Sequence, residues 1–297
     1  MKRSSNDEVF SIRDKVESVL ERFQQMVADG EKARGLSTGI AELDRMAGGL
    51  WPGKVIVIAS RPSMGKTTLM LNIAEHICIE KRVPTLIFSG DMSSFDIVER
   101  ILLSRSRFEI GQLYQGHSPK LGDLRSIQKT VLELNDANLI VNDTPGIPID
   151  ALCAHARRAK REYGIGFIAI DHLHLLKSNT RQARQSQERE VAVVSAGIKA
   201  LAKELDIPIL VLAQLNHRPG LTTGDQDGIP HISDLADSIE QNAAMIGLLN
   251  RAAYCRNIPD DQAELILVKN RCGPTGLVPL TFDTKIGRFE SPSSYQP

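Results

Sequence analysis

The sequence is poor in aromatic residues and carries no excess of charge. Its 297 residues hold 8 Phe, 4 Tyr and 1 Trp. Aromatic platforms on which successive bases could stack are therefore not available in number. Lys+Arg and Asp+Glu each total 36, so the formal net charge is zero. That excludes a polybasic coat for nucleic acid, although not a local basic groove. The four cysteines (Cys78, Cys153, Cys255, Cys272) form no CxxC pair and no cluster with histidine. Neither a zinc site nor a disulfide framework is expected, and the chain reads as cytoplasmic. No apolar run reaches the ~18 residues of a membrane span. The longest, 207–215, is broken by Pro208 and Gln214. Met1-Lys2-Arg3 runs into Ser-Ser-Asn-Asp-Glu rather than an apolar stretch, so no signal peptide is expected. What is present, 42% hydrophobic and 24% charged residues, suits one or two globular domains with a large core.

Near the start, Val9, Ile12, Val16, Val19, Phe23 and Met26 recur in steps of three and four. That is an apolar seam on a helix, closed by Asp29-Gly30. The seam either packs on its own domain or docks on a neighbouring subunit, because it has to be buried somewhere. From Gly53 strands and helices alternate. Strands are expected at 55–59, 85–89, 139–142, 167–170 and 207–213, with helices at 67–79, up to 135, 149–163 and 188–205. Segments 244–249, 263–268 and 277–282 read as strands without long helices between them. The alternating part predicts a mainly parallel sheet covered on both faces, and the end an antiparallel extension. The expected organisation is a linker helix with a charged connector (1–34), one α/β domain (35–290) and a frayed tail (291–297).

The strongest chemical signal is Ser60-Arg-Pro-Ser-Met-Gly-Lys-Thr67, between an apolar strand and a helix. Its spacing is that of a phosphate-binding P-loop, with Ser60 where glycine is usual. Gly65 lets the backbone approach a phosphate, and the helix N-terminus points N–H groups at the anion. Lys66 reaches the outer phosphates, and the Thr67 hydroxyl can ligate Mg²⁺. The nucleotide-binding segment is thus Ser60, Arg61, Pro62, Ser63, Met64, Gly65, Lys66, Thr67 and Thr68. A second metal-holding carboxylate is needed at another strand end, and Phe167-Ile-Ala-Ile-Asp171 supplies Asp171. A water-activating group should lie on a strand between these two. Asp91, closing Leu86-Ile-Phe-Ser-Gly-Asp91, is the candidate general base. Gln214 ends the strand Ile209-Leu-Val-Leu-Ala-Gln214 and could feel the terminal phosphate; alone it reads as a plain strand-end polar residue. Lys269 and Arg271, two apart, are expected on one face of a strand, either a solvated edge or a cation pair that reaches a neighbour's terminal phosphate. Lys177, Arg181, Arg184 and Arg189 sit in a polar loop, which either contacts nucleic-acid phosphates or is solvated. His172 and His174 lack an evident third ligand, so no metal role is assigned to them.

Together these residues resemble the C-terminal ATPase domain of DnaB-type replicative helicases, a ring-forming (superfamily-4) branch of the RecA-like ATPases. The resemblance runs from about Gly35 to about Phe289. It is carried by Leu36-Ser-Thr-Gly-Ile-Ala-Glu-Leu-Asp44, by the P-loop with its Arg-Pro-Ser-Met, and by Phe88-Ser-Gly-Asp-Met92. Further matches are Ile170-Asp-His-Leu-His-Leu-Leu176, Leu201-Ala-Lys-Glu-Leu-Asp-Ile-Pro208, Ala213-Gln-Leu-Asn216, Ser238-Ile-Glu-Gln241 and Lys269-Asn-Arg-Cys-Gly-Pro-Thr-Gly276. It implies a RecA-like P-loop fold and a homo-oligomer, a hexameric ring, with ATP and Mg²⁺ at subunit interfaces. It also implies single-stranded DNA in the channel, held by loops 177–190 and 216–237. Lys269 and Arg271 would act in trans, Gln214 would sense phosphate, and movement would be 5′ to 3′. A primase and a helicase loader are the further partners it implies.

Four departures stand out. No collar domain precedes the seam helix in this sequence, Asp91 replaces the usual Glu, only Ala236-Asp237 separates Leu235 from Ser238, and Asn242 replaces a common Asp. They motivate an alternative: a DnaB-like ATPase acting as a nucleotide switch, loader or regulator without processive unwinding. A strand-exchange recombinase is the weaker third reading.

Overall fold

The computed structural model describes residues 11–13, 16, 17, 19–21, 24, 35–109, 111, 112, 115, 116, 118–178, 186–215, 230–251 and 261–292. The chain divides into two units, 1–35 and 36–297. In the first, the described residues from Arg13 to Gln24 are helical. Ile12, Val16 and Val19 of the seam are exposed. Val9, Phe23 and Met26 lie outside the described residues.

The second unit begins with α1 (Ala41–Ala47), β1 (Val55–Ser60), α2 (Lys66–Glu75, continued by a π-helical turn His76–Glu80) and β2 (Thr85–Ser89). There follow α3 (Ser94–Ser106), α4 (Leu121–Asn135), β3 (Leu139–Asn142), α5 (Ile149–Tyr163) and β4 (Phe167–Asp171). Then come α6 (Gln187–Leu205), β5 (Ile209–Gln214), α7 (Asp237–Asn242), β6 (Met245–Asn250), β7 (Gln262–Asn270), β8 (Gly276–Asp283) and β9 (Arg288–Glu290). The nine strands form one sheet in the order β3-β2-β4-β5-β1-β6-β7-β8-β9. The first six of that order are mutually parallel, and β7, β8 and β9 are antiparallel additions.

Strand periodicity sends alternate residues to opposite faces. Val55, Val57 and Ala59 join one core with α5 and α6, while Ile56 and Ile58 join the other with α1, α2 and α3. Both faces being covered explains why the strands read as unbroken apolar runs. Helix α5 ends at Gly164, whose left-handed φ of 66° suits glycine. The parallel strands also bring their C-terminal ends to one edge, with Ser60 paired to Gln214 and Ser89 to Asp171.

The far end of α2 is tied down by charge. Glu75 is buried and accepts from Arg105 at 2.8 Å and from Arg288 at 3.2 Å. Arg105 also reaches Glu80 and Glu133, so α2, α3, α4 and β9 share one ionic cluster. Burial opposes the Arg105 charge, but the three carboxylates prevail and raise its pKa.

The structure differs from expectation at several edges. Strand β5 starts at Ile209, because Ile207 N–H still bonds the Ala202 carbonyl of α6. Strand β7 runs from Gln262 to Asn270, longer than 263–268. The short α1, α7 and β9 were not expected; each is seven residues or fewer, below the length at which periodicity is readable. Among the described residues no helix is long and apolar enough to cross a membrane.

Candidate functional site

The P-loop connects β1 to α2 across the edge where the parallel strands end. Ser63 (φ 64°) and Gly65 (φ 92°) both adopt left-handed backbone, which turns successive N–H groups toward one concavity. Gly65 also lies against the β9 aromatic: a Cβ there would stand 3.1 Å from the Phe289 ring. Phe289 stacks on Phe282 with centroids 4.3 Å apart, and its N–H donates to Asn72 Oδ1 on α2. The loop is therefore held from beneath by the antiparallel extension. Ser60 is fully buried and donates to the Arg61 carbonyl, and Met64 packs into the core. Any contact these two make with a phosphate comes through their backbone. Arg61, Lys66, Thr67 and Thr68 are partly exposed, and Pro62 and Ser63 exposed.

Thr67 and Asp171 meet. The Thr67 hydroxyl donates to Asp171 Oδ2 at 2.7 Å. Burial pushes the Asp171 carboxyl up, opposed by that hydrogen bond and by the charges of His172 and Lys66; Asp91 adds a further upward push. Lys66 and Asp91 thus both face Asp171 closely enough to act on it. A hydroxyl and a single carboxylate suit Mg²⁺, which keeps several waters and takes phosphate oxygens as ligands. Among the described residues no cluster of three His, Cys, Asp or Glu could hold a metal by itself, in keeping with a site that nucleotide oxygens complete. Burial lowers the His172 pKa, so its ring tends to be neutral.

Asp91 is exposed, two residues past the end of β2. The sequence expectation placed its strand between those of the P-loop and Asp171. In the sheet that place belongs to β5, and β2 lies on the outer side of β4, because chain order does not set strand order. Asp91 still reaches the site, since Gly90 N–H donates to the Asp171 carbonyl at 2.9 Å. Gln214, exposed at the tip of β5, lies beside the start of the P-loop through its pairing with Ser60.

Lys269 and Arg271 do not share a strand face. Lys269 lies in β7, whereas Arg271 follows the strand's last residue, Asn270. Lys269 Nζ donates to the Glu240 carbonyl of α7 at 2.6 Å. Burial, then the Arg271 charge, lowers its pKa. Arg271 is exposed, and its N–H bonds the Ala244 carbonyl at 2.9 Å. Asn270 braces that turn: its Nδ2 donates to the Pro274 carbonyl and its Oδ1 accepts from Cys272 N–H. Lys177 is exposed, and its backbone pairs with Ile147 and Ile149 beside the start of α5. Arg181, Arg184, the rest of 179–185 and residues 216–229 lie outside the described residues.

Sequence reasoning missed three supports. They are the Phe282–Phe289 stack, the Asn270 brace, and Ser89, whose Oγ donates to the Met92 carbonyl and accepts from Met92 N–H across the Asp91 turn. A buried serine at a strand end was the one readable signal among them. The lead-in Leu36-Ser-Thr-Gly-Ile also has a structural explanation. Asp44 accepts from the Ser37 and Thr38 hydroxyls and from Thr38 N–H, clasping the start of α1.

Comparison with known proteins fits this geometry. The DnaB-like helicase C terminal domain family matches residues 35–291. The chain is 36% identical over 259 residues to the replicative DNA helicase DnaB of Leifsonia xyli subsp. xyli, covering 86% of this chain and 55% of that one. It is 35% identical to the replicative DNA helicase DnaB of Geobacillus stearothermophilus, covering 88% and 57%. To the replicative DNA helicase DnaC of Bacillus subtilis it is 31% identical, covering 94% and 61%. The chain thus spans little more than half the length of these curated relatives. Among solved structures, a free-standing ATPase domain superposes with a TM-score of 0.87 at 26% identity, covering 96% of this chain and all of that one. A DnaB-like replicative helicase, described with its interactions with primase, gives 0.82 at 27% identity, covering 97% and 68%. A parallel sheet with a P-loop at its edge, a Thr67–Asp171 pair beside it and this family match over most of its length together place the chain in the DnaB-like helicase C-terminal domain family.

Proposed function

We propose that this chain is the ATPase motor of a DnaB-type DNA helicase or translocase acting in replication. The observation that carries the proposal is the Thr67–Asp171 pair at the mouth of the P-loop, the arrangement a Mg-ATP site needs. Residues 35–290 form the ATPase domain, 1–34 its linker helix and connector, and 291–297 its tail. ATP binds along Ser60 to Thr68, with Lys66 on the outer phosphates. Thr67 and Asp171 hold Mg²⁺, Asp171 through water; when bound, the ion offsets charge that builds on the phosphate oxygens. Asp91 orients a water and takes its proton as the water oxygen bonds to the γ-phosphorus and the bond to the β–γ bridging oxygen breaks. Gln214 contacts the terminal phosphate. Lys269 and Arg271 of a neighbouring copy complete the site, in a hexameric ring with single-stranded DNA in its channel. Lys177, Arg181 and Arg184 contact that strand, with movement from 5′ to 3′. A primase and a loader are its further partners, and it acts in the cytoplasm.

The second reading, a nucleotide switch without processive unwinding, draws support from Lys269, whose ammonium is engaged by its own chain. ATP turnover measured against protein concentration, with and without single-stranded DNA, separates the two when followed by strand displacement from a fork. Turnover that rises with concentration and with DNA, together with displacement, supports the motor. ATP binding without DNA-stimulated turnover supports the switch.

A further inference from the structure

We propose that Gly90 is a positioning residue for the attacking water's base, matched to the short side chain of Asp91. The inference rests on the reading of Asp91 as general base. Aspartate has one methylene fewer than glutamate, a loss of about 1.5 Å of bond length. A short base works only if its backbone stands closer to the reacting atoms.

The β2 tip is placed for that. Gly90 N–H is anchored on the Asp171 carbonyl at 2.9 Å. Gly90 Cα faces Leu175 in the short 3₁₀ turn Leu173–Leu175 that follows Asp171. A Cβ at position 90 would stand 2.9 Å from Leu175 Cδ1 and 3.2 Å from Leu175 Cβ. Leu173 and Leu176, on either side, are buried in the core, so the turn has little freedom to retreat. On its other side Asp91 is pinned by the Ser89–Met92 hydrogen bonds. The next helix is pinned as well, with Ser94 N–H bonded to Asp143 Oδ2 at 2.8 Å. A side chain at 90 therefore pushes the β2 tip outward and carries Asp91 away from Asp171. Glycine lets the two segments close, and the closure makes up for the missing methylene.

The test is a set of variants of the full chain, read by ATP turnover and by KM for ATP. Gly90→Ala is expected to lower kcat about tenfold or more with KM unchanged, since the P-loop is untouched. Asp91→Glu in that background is expected to recover at least about threefold, because the longer side chain spans the retreat. In the native background the same change is expected to give no gain. Leu175→Ala combined with Gly90→Ala removes the crowding and should restore turnover; it also carries the test if Gly90→Ala alone fails to fold. A fully active Gly90→Ala, a double variant with Asp91→Glu that recovers nothing, or a folded Gly90→Ala/Leu175→Ala that stays inactive overturns the proposal. Asp91→Asn is measured alongside. If it abolishes turnover while Gly90→Ala is neutral, only the role of Gly90 falls. If it keeps full turnover, the base assignment itself falls, and this inference with it.

Discussion

The Thr67 hydroxyl donates to Asp171 Oδ2 across 2.7 Å, joining the first turn of α2 to the tip of β4. The two residues are 104 apart in sequence, and one sheet edge brings them together. Asn at position 171 keeps the shape and an acceptor but removes the negative charge. Asp171→Asn should therefore retain nucleotide binding in EDTA and lose Mg-dependent turnover by at least about a hundredfold, the scale of a several-kcal/mol electrostatic contribution. Thr67→Ser, which keeps the hydroxyl, should stay within about tenfold of the parent. Fluorescent-nucleotide titrations with and without Mg²⁺, paired with steady-state turnover, check both.

Gly65 is constrained twice, by a φ of 92° and by the Phe289 ring at 3.1 Å from a notional Cβ. Alanine there meets both penalties. Gly65→Ala should cost about 1–3 kcal/mol of stability from backbone strain and weaken ATP binding. Adding Phe289→Ala frees space but leaves the backbone strained, and it deletes a buried ring, so the double variant should melt lower still. Thermal melts and nucleotide titrations of the three proteins decide the matter.

Much of this site was legible because its signals are local. The P-loop, Asp171 and Gln214 each close an apolar run, and a run of that kind marks a buried strand whose end carries polar chemistry. The strand at 139–142 and the helix at 149–163 were readable to the residue, because Pro148 and Gly164 punctuate that helix. What could not be read depends on contacts between distant segments. The strand of Asp91 falls outside that of Asp171 rather than between it and the P-loop, and no local pattern encodes that order. Strand β9 has three residues and is defined by its pairing with β8. The face of Arg271 was misjudged because β7 stops one residue short of it.

Arg271 is held by its backbone on Ala244 and by the Asn270 brace, with its side chain exposed. Such a residue is fixed in place and free to act outward. Arg271→Ala should keep ATP binding and lose turnover by about a thousandfold, the low end for an arginine finger. If it acts in trans, mixing inactive Arg271→Ala with inactive Lys66→Ala should restore part of the activity. Some interfaces would then pair an intact P-loop with an intact arginine. No recovery in assembled mixtures would place the arginine's action within its own chain.

His76 offers a pH test away from the chemistry. It lies in the turn that continues α2, half-buried, with its ring over Gly39 and Nε2 3.2 Å from Ser37 Oγ. Burial lowers its pKa, and the Lys81 and Arg105 charges lower it further, while Asp44 and Glu80 oppose them. The folded value is thus below the unfolded value of about 6.5. Above that pH the ring is neutral in both states, and the stability linked to it is fully present. As pH falls below about 6.5 the unfolded chain takes up the proton first, so stability declines until the folded pKa is passed. The melting temperature should therefore drop between pH 7 and pH 5, with proton uptake of no more than one attributable to this residue. His76→Gln keeps a polar group beside Ser37 but cannot titrate. Its melting temperature should change less over the same interval, and an unchanged slope would assign the acid sensitivity to other groups.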